Sequence, residues 1–124
     1  MRSVATLLTF VLAAFAAPQP TFAPRGAREL AGRSPGPPQR CVLIQSGEAL
    51  RVSETDPHML LYGRGRTIAA NRLAPVCGIN FNDILVTDPI GPYYCRGDLV
   101  RSIDRVSRVP GAACKLGDFV PYKR

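Results

Sequence analysis

The chain has 124 residues, enough for a single domain. Its formal net charge is +7, with no tryptophan, one histidine and four cysteines. Arg2 aside, residues 17–40 and residues 41–124 each carry a net +3, so half of the remaining charge lies in a proline-rich stretch. The rest of the chain mixes both signs, unlike a nucleic-acid binder, which concentrates basic and aromatic residues on one folded face. Such a balance favours solubility and weak attraction to anionic surfaces.

The N-terminus reads as an export signal. Arg2 supplies a positive start, and Val4 to Phe15 is an apolar run broken only by Thr6 and Thr9. Ala14-Phe15-Ala16 has the small-x-small form of a cleavage site, which places the cut after Ala16 and makes residues 1–16 a signal peptide. The run is shorter than the ~20 apolar residues that span a bilayer. No later segment is apolar enough to do so, and the exported part is expected to lack a transmembrane segment.

Residues 17–40 contain six prolines and three glycines. Proline removes a backbone donor and glycine adds chain entropy, so this segment is predicted to be a flexible linker, with PGPP at 35–38 locally extended. The folded domain is expected over residues 41–124.

Within it, EALRVSE (48–54) alternates apolar and polar residues as a half-buried strand does. HMLLYG (58–63) and RTIAANRL (66–73) flank Gly63-Arg64-Gly65, the pattern of a β-hairpin. Asn80 to Asp83 reads as a turn before the strand ILVT (84–87), and DPIGP (88–92) as a loop. Adjacent strand residues face opposite sides, so one of Tyr93 and Tyr94 should point in and the other out.

The stretch DLVRSIDRVSR has two readings. Leu99, Val100, Ile103 and Val106 fit a helical face with Asp98 as N-cap, and strand alternation fits less well.

Cys95-Arg96-Gly97-Asp98-Leu99-Val100 is echoed by Cys114-Lys115-Leu116-Gly117-Asp118-Phe119-Val120. In each, glycine suits a tight turn, aspartate can bond a nearby amide, and an apolar pair follows. The Arg-Gly-Asp of 96–98 therefore reads as a turn rather than as a displayed adhesion ligand.

An even number of cysteines in a short exported chain predicts two disulfides. Cys41, Cys77, Cys95 and Cys114 lie 36, 18 and 19 residues apart, without the close pairs of a zinc site. Three connectivities are possible. Cys41–Cys114 with Cys77–Cys95 is the first choice, on the expectation that the first and last elements lie side by side; Cys41–Cys77 with Cys95–Cys114 is the rival.

No catalytic constellation, metal set or cofactor motif emerges. His58 is the single histidine and sits at a predicted strand edge. Asp98 and Asp118 are the acid–base candidates, though turn roles account for both. Asn80, Asn82 and Asp83 are too few oxygens at the wrong spacing for a calcium loop, and Gly63-Arg64-Gly65 lacks the helix of a phosphate loop.

The order Cys, Arg-containing strand, hairpin, Cys, strand, Cys-x-Gly-Asp and Cys-x-Leu-Gly-Asp-Phe resembles a family of small exported bacterial proteins classed as a domain of unknown function. The resemblance spans about residues 41–120 and rests on Cys41, Arg51, Leu73, Cys77, Cys95, Gly97, Asp98, Cys114, Leu116, Gly117, Asp118 and Phe119. It implies a mainly β domain and a strand at Leu99–Arg108, and it carries no activity.

The expectation is a mainly β, disulfide-stapled barrel or sandwich of about five to six strands, exported to the periplasm or beyond. Its predicted role is a non-catalytic binding or structural module of the cell envelope, with an acidic protein or polymer as partner and Arg64, Arg66 and Arg72 as contact residues. A small hydrolase acting on an envelope polymer and a protease inhibitor are the alternatives.

Overall fold

A computed structural model describes residues 27–124. The expected signal peptide, its cleavage point and residues 17–26 of the expected linker lie outside the described residues.

The fold is mainly β. After a single 3-10 turn at Arg28–Leu30 come β1 (Ser34–Pro35), β2 (Cys41–Leu43), β3 (Arg51–Val52), β4 (Met59–Tyr62) and β5 (Thr67–Arg72). They are followed by β6 (Ile84–Thr87), β7 (Tyr93–Cys95), β8 (Leu99–Ile103), β9 (Pro110–Lys115) and β10 (Phe119–Lys123). These ten short strands exceed the five or six expected, because the edges add pieces of two or three residues. They form three antiparallel sheets, ordered β1-β10-β5-β4-β3, β2-β7 and β6-β8-β9. No sheet closes on itself among the described residues, so the arrangement is sandwich-like and the barrel alternative falls away.

The hairpin is where the sequence puts it. Met59 pairs with Arg72 and Tyr62 with Ala69, around a turn that contains Gly63-Arg64-Gly65. Strand 84–87 is likewise as expected.

Side chains pack on both faces of the large sheet. Its inner face presents Val52, Leu60, Tyr62, Ala69 and Phe119 to a core shared with Tyr94 of β7 and Val100 and Cys114 of the third sheet. On its outer face, Met59, Leu61, Ile68 and Ala70 pack with Ala27 and Leu30. Hence all four residues of β4 are buried, and the period-2 alternation of a one-sided strand is missing there. Each fully buried leucine of β4 contributes about 1.5–3 kcal/mol through area removed from water.

Residues 27–40 are a correction to the expected linker. They run as a strap across the outer face. Glu29 accepts hydrogen bonds from the Ser53 hydroxyl and the Glu54 amide, both at 2.9 Å. The amide of Arg28 donates to Thr55 Oγ1. At the far edge, Ser34 and Pro35 pair with Lys123 and Tyr122 of β10, and Gln39 bridges Phe119. Proline serves here because an edge position asks little of its missing N–H.

The disulfides are Cys41–Cys95 and Cys77–Cys114, the connectivity that neither favoured pairing contained. The strands that carry the first and last cysteines are not neighbours: β2 pairs with β7 and sets Cys41 directly opposite Cys95, whereas β9 lies beside β8 in another sheet. Cys77, just past β5, meets Cys114 of β9 inside the core.

The Leu99–Ile103 segment is a strand, as the resemblance implies and the helical spacing does not. β8 has ladder partners on both sides, β6 and β9. The helical spacing ends at Asp104, whose carboxylate accepts from the amides of Val106 and Ser107 and closes a turn that leaves Val106 in solvent. Asp98, read as an N-cap, instead accepts from the Cys95 amide.

Candidate functional site

Two surfaces stand out, one polar and basic, the other apolar. The basic surface lies at the turn end of the β4–β5 hairpin. Arg64 and Arg66 are exposed there. Lys123 pairs with Thr67 across the β10–β5 ladder and so reaches the same end. These three residues, with Gln45, Glu48 and Thr67, line an open groove of ≈ 630 Å³.

Arg51 adds to this field from β3. Its pKa is lowered first by burial and then by the positive charge of Arg64, with a smaller push from Arg33; Glu48 and Glu29 offset part of this. One guanidinium nitrogen of Arg51, Nη1, is buried without a hydrogen-bond partner among the described residues. The arrangement leaves uncompensated positive potential, which suits an anionic partner.

The expected trio of contact residues is divided. Arg72 sits at the opposite end of β5 from Arg66, roughly 20 Å away along an extended strand, and lies 3.5 Å from the buried carboxylate of Asp56. Sequence reasoning missed Arg51 and Lys123 as companions of Arg64 and Arg66. The period-2 pattern placed Arg51 on a strand, but the pairing that brings β3 and β10 to this hairpin is not readable from the sequence.

The other candidate residues have structural partners. His58 Nδ1 lies 3.1 Å from the Cys77 carbonyl. Asp118 pairs with Arg96 at 3.3 Å, and both are substantially exposed. The two echoed segments meet: the Gly97 amide donates to the Leu116 carbonyl, and the Leu116 amide to the Asp98 carbonyl. Gly97 takes φ 93°, a backbone that glycine tolerates. Arginine and aspartate of the Arg-Gly-Asp stretch are therefore each engaged within the fold. Tyr94 is buried and packs edge-on against Tyr62, ring centroids 5.5 Å apart, while Tyr93 is exposed, the expected in–out split.

The apolar surface is a groove of ≈ 770 Å³ between the strap and the outer sheet face, with Met59, Ala70, Val120 and Tyr122 in its lining. Nothing in the sequence signals it, because the strap reads there as a linker.

Among the described residues, no three His, Cys, Asp or Glu side chains gather as a metal site. No helix among them is long and apolar enough to cross a membrane. No protein-family model, curated protein or solved structure matches the chain.

Proposed function

We propose that this chain is an exported, non-catalytic binding module of the bacterial envelope, periplasmic or secreted, that holds an acidic polymer or protein against its basic hairpin end. Two disulfides in a chain of this size fit an oxidising compartment, and the N-terminal signal pattern and the resemblance to small exported four-cysteine proteins point the same way. The observation that carries the binding reading is the convergence of Arg64 and Arg66 from the hairpin turn and Lys123 from β10 on one groove, with Arg51 of β3 within the field of Arg64 and Glu48 as the acid in the lining.

Exposed charge acts over about a Debye length, ~10 Å at 0.1 M salt, so binding of this kind weakens as salt rises. The oxidised chain is expected to be retained on immobilised dextran sulfate at low salt and to pass through neutral dextran. The double variant Arg64→Glu, Arg66→Glu should elute at clearly lower salt with its disulfides intact. Equal retention of the two proteins would move the binding surface elsewhere; no retention of either would remove the acidic-polymer reading.

A further inference from the structure

The second groove shares no lining residue with the basic one and has different chemistry. Its floor is the outer sheet face: in the β5–β4 and β10–β5 registers, Met59 is opposite Arg72, Ala70 opposite Val120, and Ile68 opposite Tyr122. These residues point away from the main core, and the strap covers only part of them. Leu30 closes one side from the strap. The volume, ≈ 770 Å³, falls in the ~300–1,000 Å³ range of small-molecule sites, which are mostly apolar with a few placed polar groups.

The polar groups are unequal. Of the charged residues in the lining, Arg33 and Arg72 are cationic and Asp118 is the acid. Asp118 is engaged with Arg96 outside the groove, and Arg72 with Asp56. Arg33 donates through Nη1 to the Arg66 carbonyl at 2.9 Å, and its Nε is buried with no hydrogen-bond partner among the described residues. A buried N–H left unpaired is unfavourable, and a ligand oxygen would satisfy it. With Nη1 held, the Nε–Nη2 edge is the side of the fork that a carboxylate takes with two parallel bonds.

We infer that this groove binds a single alkyl chain ending in a carboxylate, the chain lying over Met59, Ala70 and Val120 and the head group on Arg33. Because Arg33 belongs to the strap and the chain would lie on the sheet, the ligand would also fasten one to the other.

The methyl group of Met59 reports on the floor, and Met1 is the single other methionine in the chain. With the purified oxidised chain, laurate below its micellar concentration should shift the Met59 methyl resonance saturably. Dodecanol, with the same chain and no charge, should need about tenfold more for half-saturation. Arg33→Gln should abolish that difference, and Val120→Trp, read by calorimetry, should block laurate by filling the groove. The single variant Arg64→Glu, which leaves Arg66 and its contact with Arg33 in place, should bind laurate like the parent, which separates this site from the basic end. Absence of a saturable Met59 shift, equal affinity for laurate and dodecanol in the parent, or binding restricted to phosphatidylglycerol vesicles would each overturn the inference. Should Val120→Trp fail to fold, the Arg33→Gln comparison still decides it.

Discussion

The side chain of Asn71 holds the backbone of Gly117 from both sides. Its Nδ2 donates to the Gly117 carbonyl at 2.7 Å, and its Oδ1 accepts from the Gly117 amide at 2.8 Å. Asn71 is fully buried in β5, 46 residues away in sequence. The carboxamide thus acts as a short piece of strand, pairing with a loop that the ladder does not reach. A side chain at position 117 would put its Cβ 3.0 Å from the Arg72 carbonyl, a contact tight enough that the backbone would have to shift, so the approach favours glycine. Replacing Asn71 by leucine leaves both backbone groups of Gly117 without partners. At ~1–3 kcal/mol per buried unsatisfied group the two groups would cost about 2–6 kcal/mol, toward the low end because the contact is part-buried. Gly117→Ala should lower the urea midpoint as well, and the two losses should be strongly non-additive, since they act on one contact.

The glycine of the second echo was legible as a turn residue, whereas its partner was not, because Asn71 looks in sequence like a polar break in a hairpin strand. The same limit recurs elsewhere. The hairpin and strand 84–87 were legible because glycine punctuation and β-branched residues are local signals. The strap was misread because proline and glycine content reports on what a segment cannot form alone, and Leu30 and Glu29 find their partners in β4, β5 and the β3–β4 turn. The helical spacing of Leu99 to Val106 lost to two flanking ladders, a tertiary effect. At the basic end, Arg64 and Arg66 were recognisable from the turn, but Arg51 and Lys123 arrive through strand order.

The disulfide pairing is directly testable. Cleavage on the N-terminal side of aspartate, at Asp56, Asp83, Asp88, Asp98, Asp104 and Asp118, puts the four cysteines on four separate peptides. Mass spectrometry without reduction should find peptide 88–97 joined to the peptide that carries Cys41, and peptide 56–82 joined to 104–117. Linkage of 56–82 to 88–97 would restore the pairing favoured by sequence.

The two bridges should differ in their contribution. The loops they close, 54 and 37 residues, are worth about 4 kcal/mol each in the chain-entropy model, so loop length does not separate them. Burial does. Cys77 and Cys114 lie in the main core, whereas Cys41 and Cys95 are only half-buried. Serine at 77 and 114 would place two hydroxyls in an apolar setting, adding a desolvation cost of ~1–3 kcal/mol for each without a partner. The pair Cys77→Ser, Cys114→Ser should therefore unfold at lower denaturant than Cys41→Ser, Cys95→Ser. Under mild reductant, the Cys41–Cys95 bridge should open first.

The strap should detach in acid. Partial burial works to raise the Glu29 pKa, but the Glu54 amide, its own amide, the Ser53 hydroxyl and the charge of Arg51 outweigh it and hold the carboxyl below its ordinary 4.5. Between the folded and unfolded pKa values the unfolded chain binds more protons, so stability rises with pH there. The contribution is fully present above the unfolded value and is lost as pH falls through the lower folded one. Amide exchange at Glu54 should accelerate in that acid window relative to amides of the β4–β5 ladder. Glu29→Gln should exchange faster at neutral pH and lose the acid-dependent step; a step of unchanged size in that variant would assign the titration to another carboxylate.

The Arg-Gly-Asp stretch should behave as a structural turn. Asp98 accepts from the Cys95 amide at 2.9 Å, one residue before Leu99 begins the β8–β9 ladder, and Arg96 faces Asp118. Asp98→Ala removes an acceptor from a partly buried amide and should cost about 1–2 kcal/mol. Asp118→Asn removes one half of an exposed ion pair and should cost well under 1 kcal/mol. Immobilised protein should support no cell adhesion that a soluble Arg-Gly-Asp peptide competes away, and Asp98→Glu should leave adhesion at the parent level. Competition by the peptide would mean that the turn opens and frees Arg96 and Asp98 from their partners, which the Cys95, Leu116 and Asp118 contacts oppose.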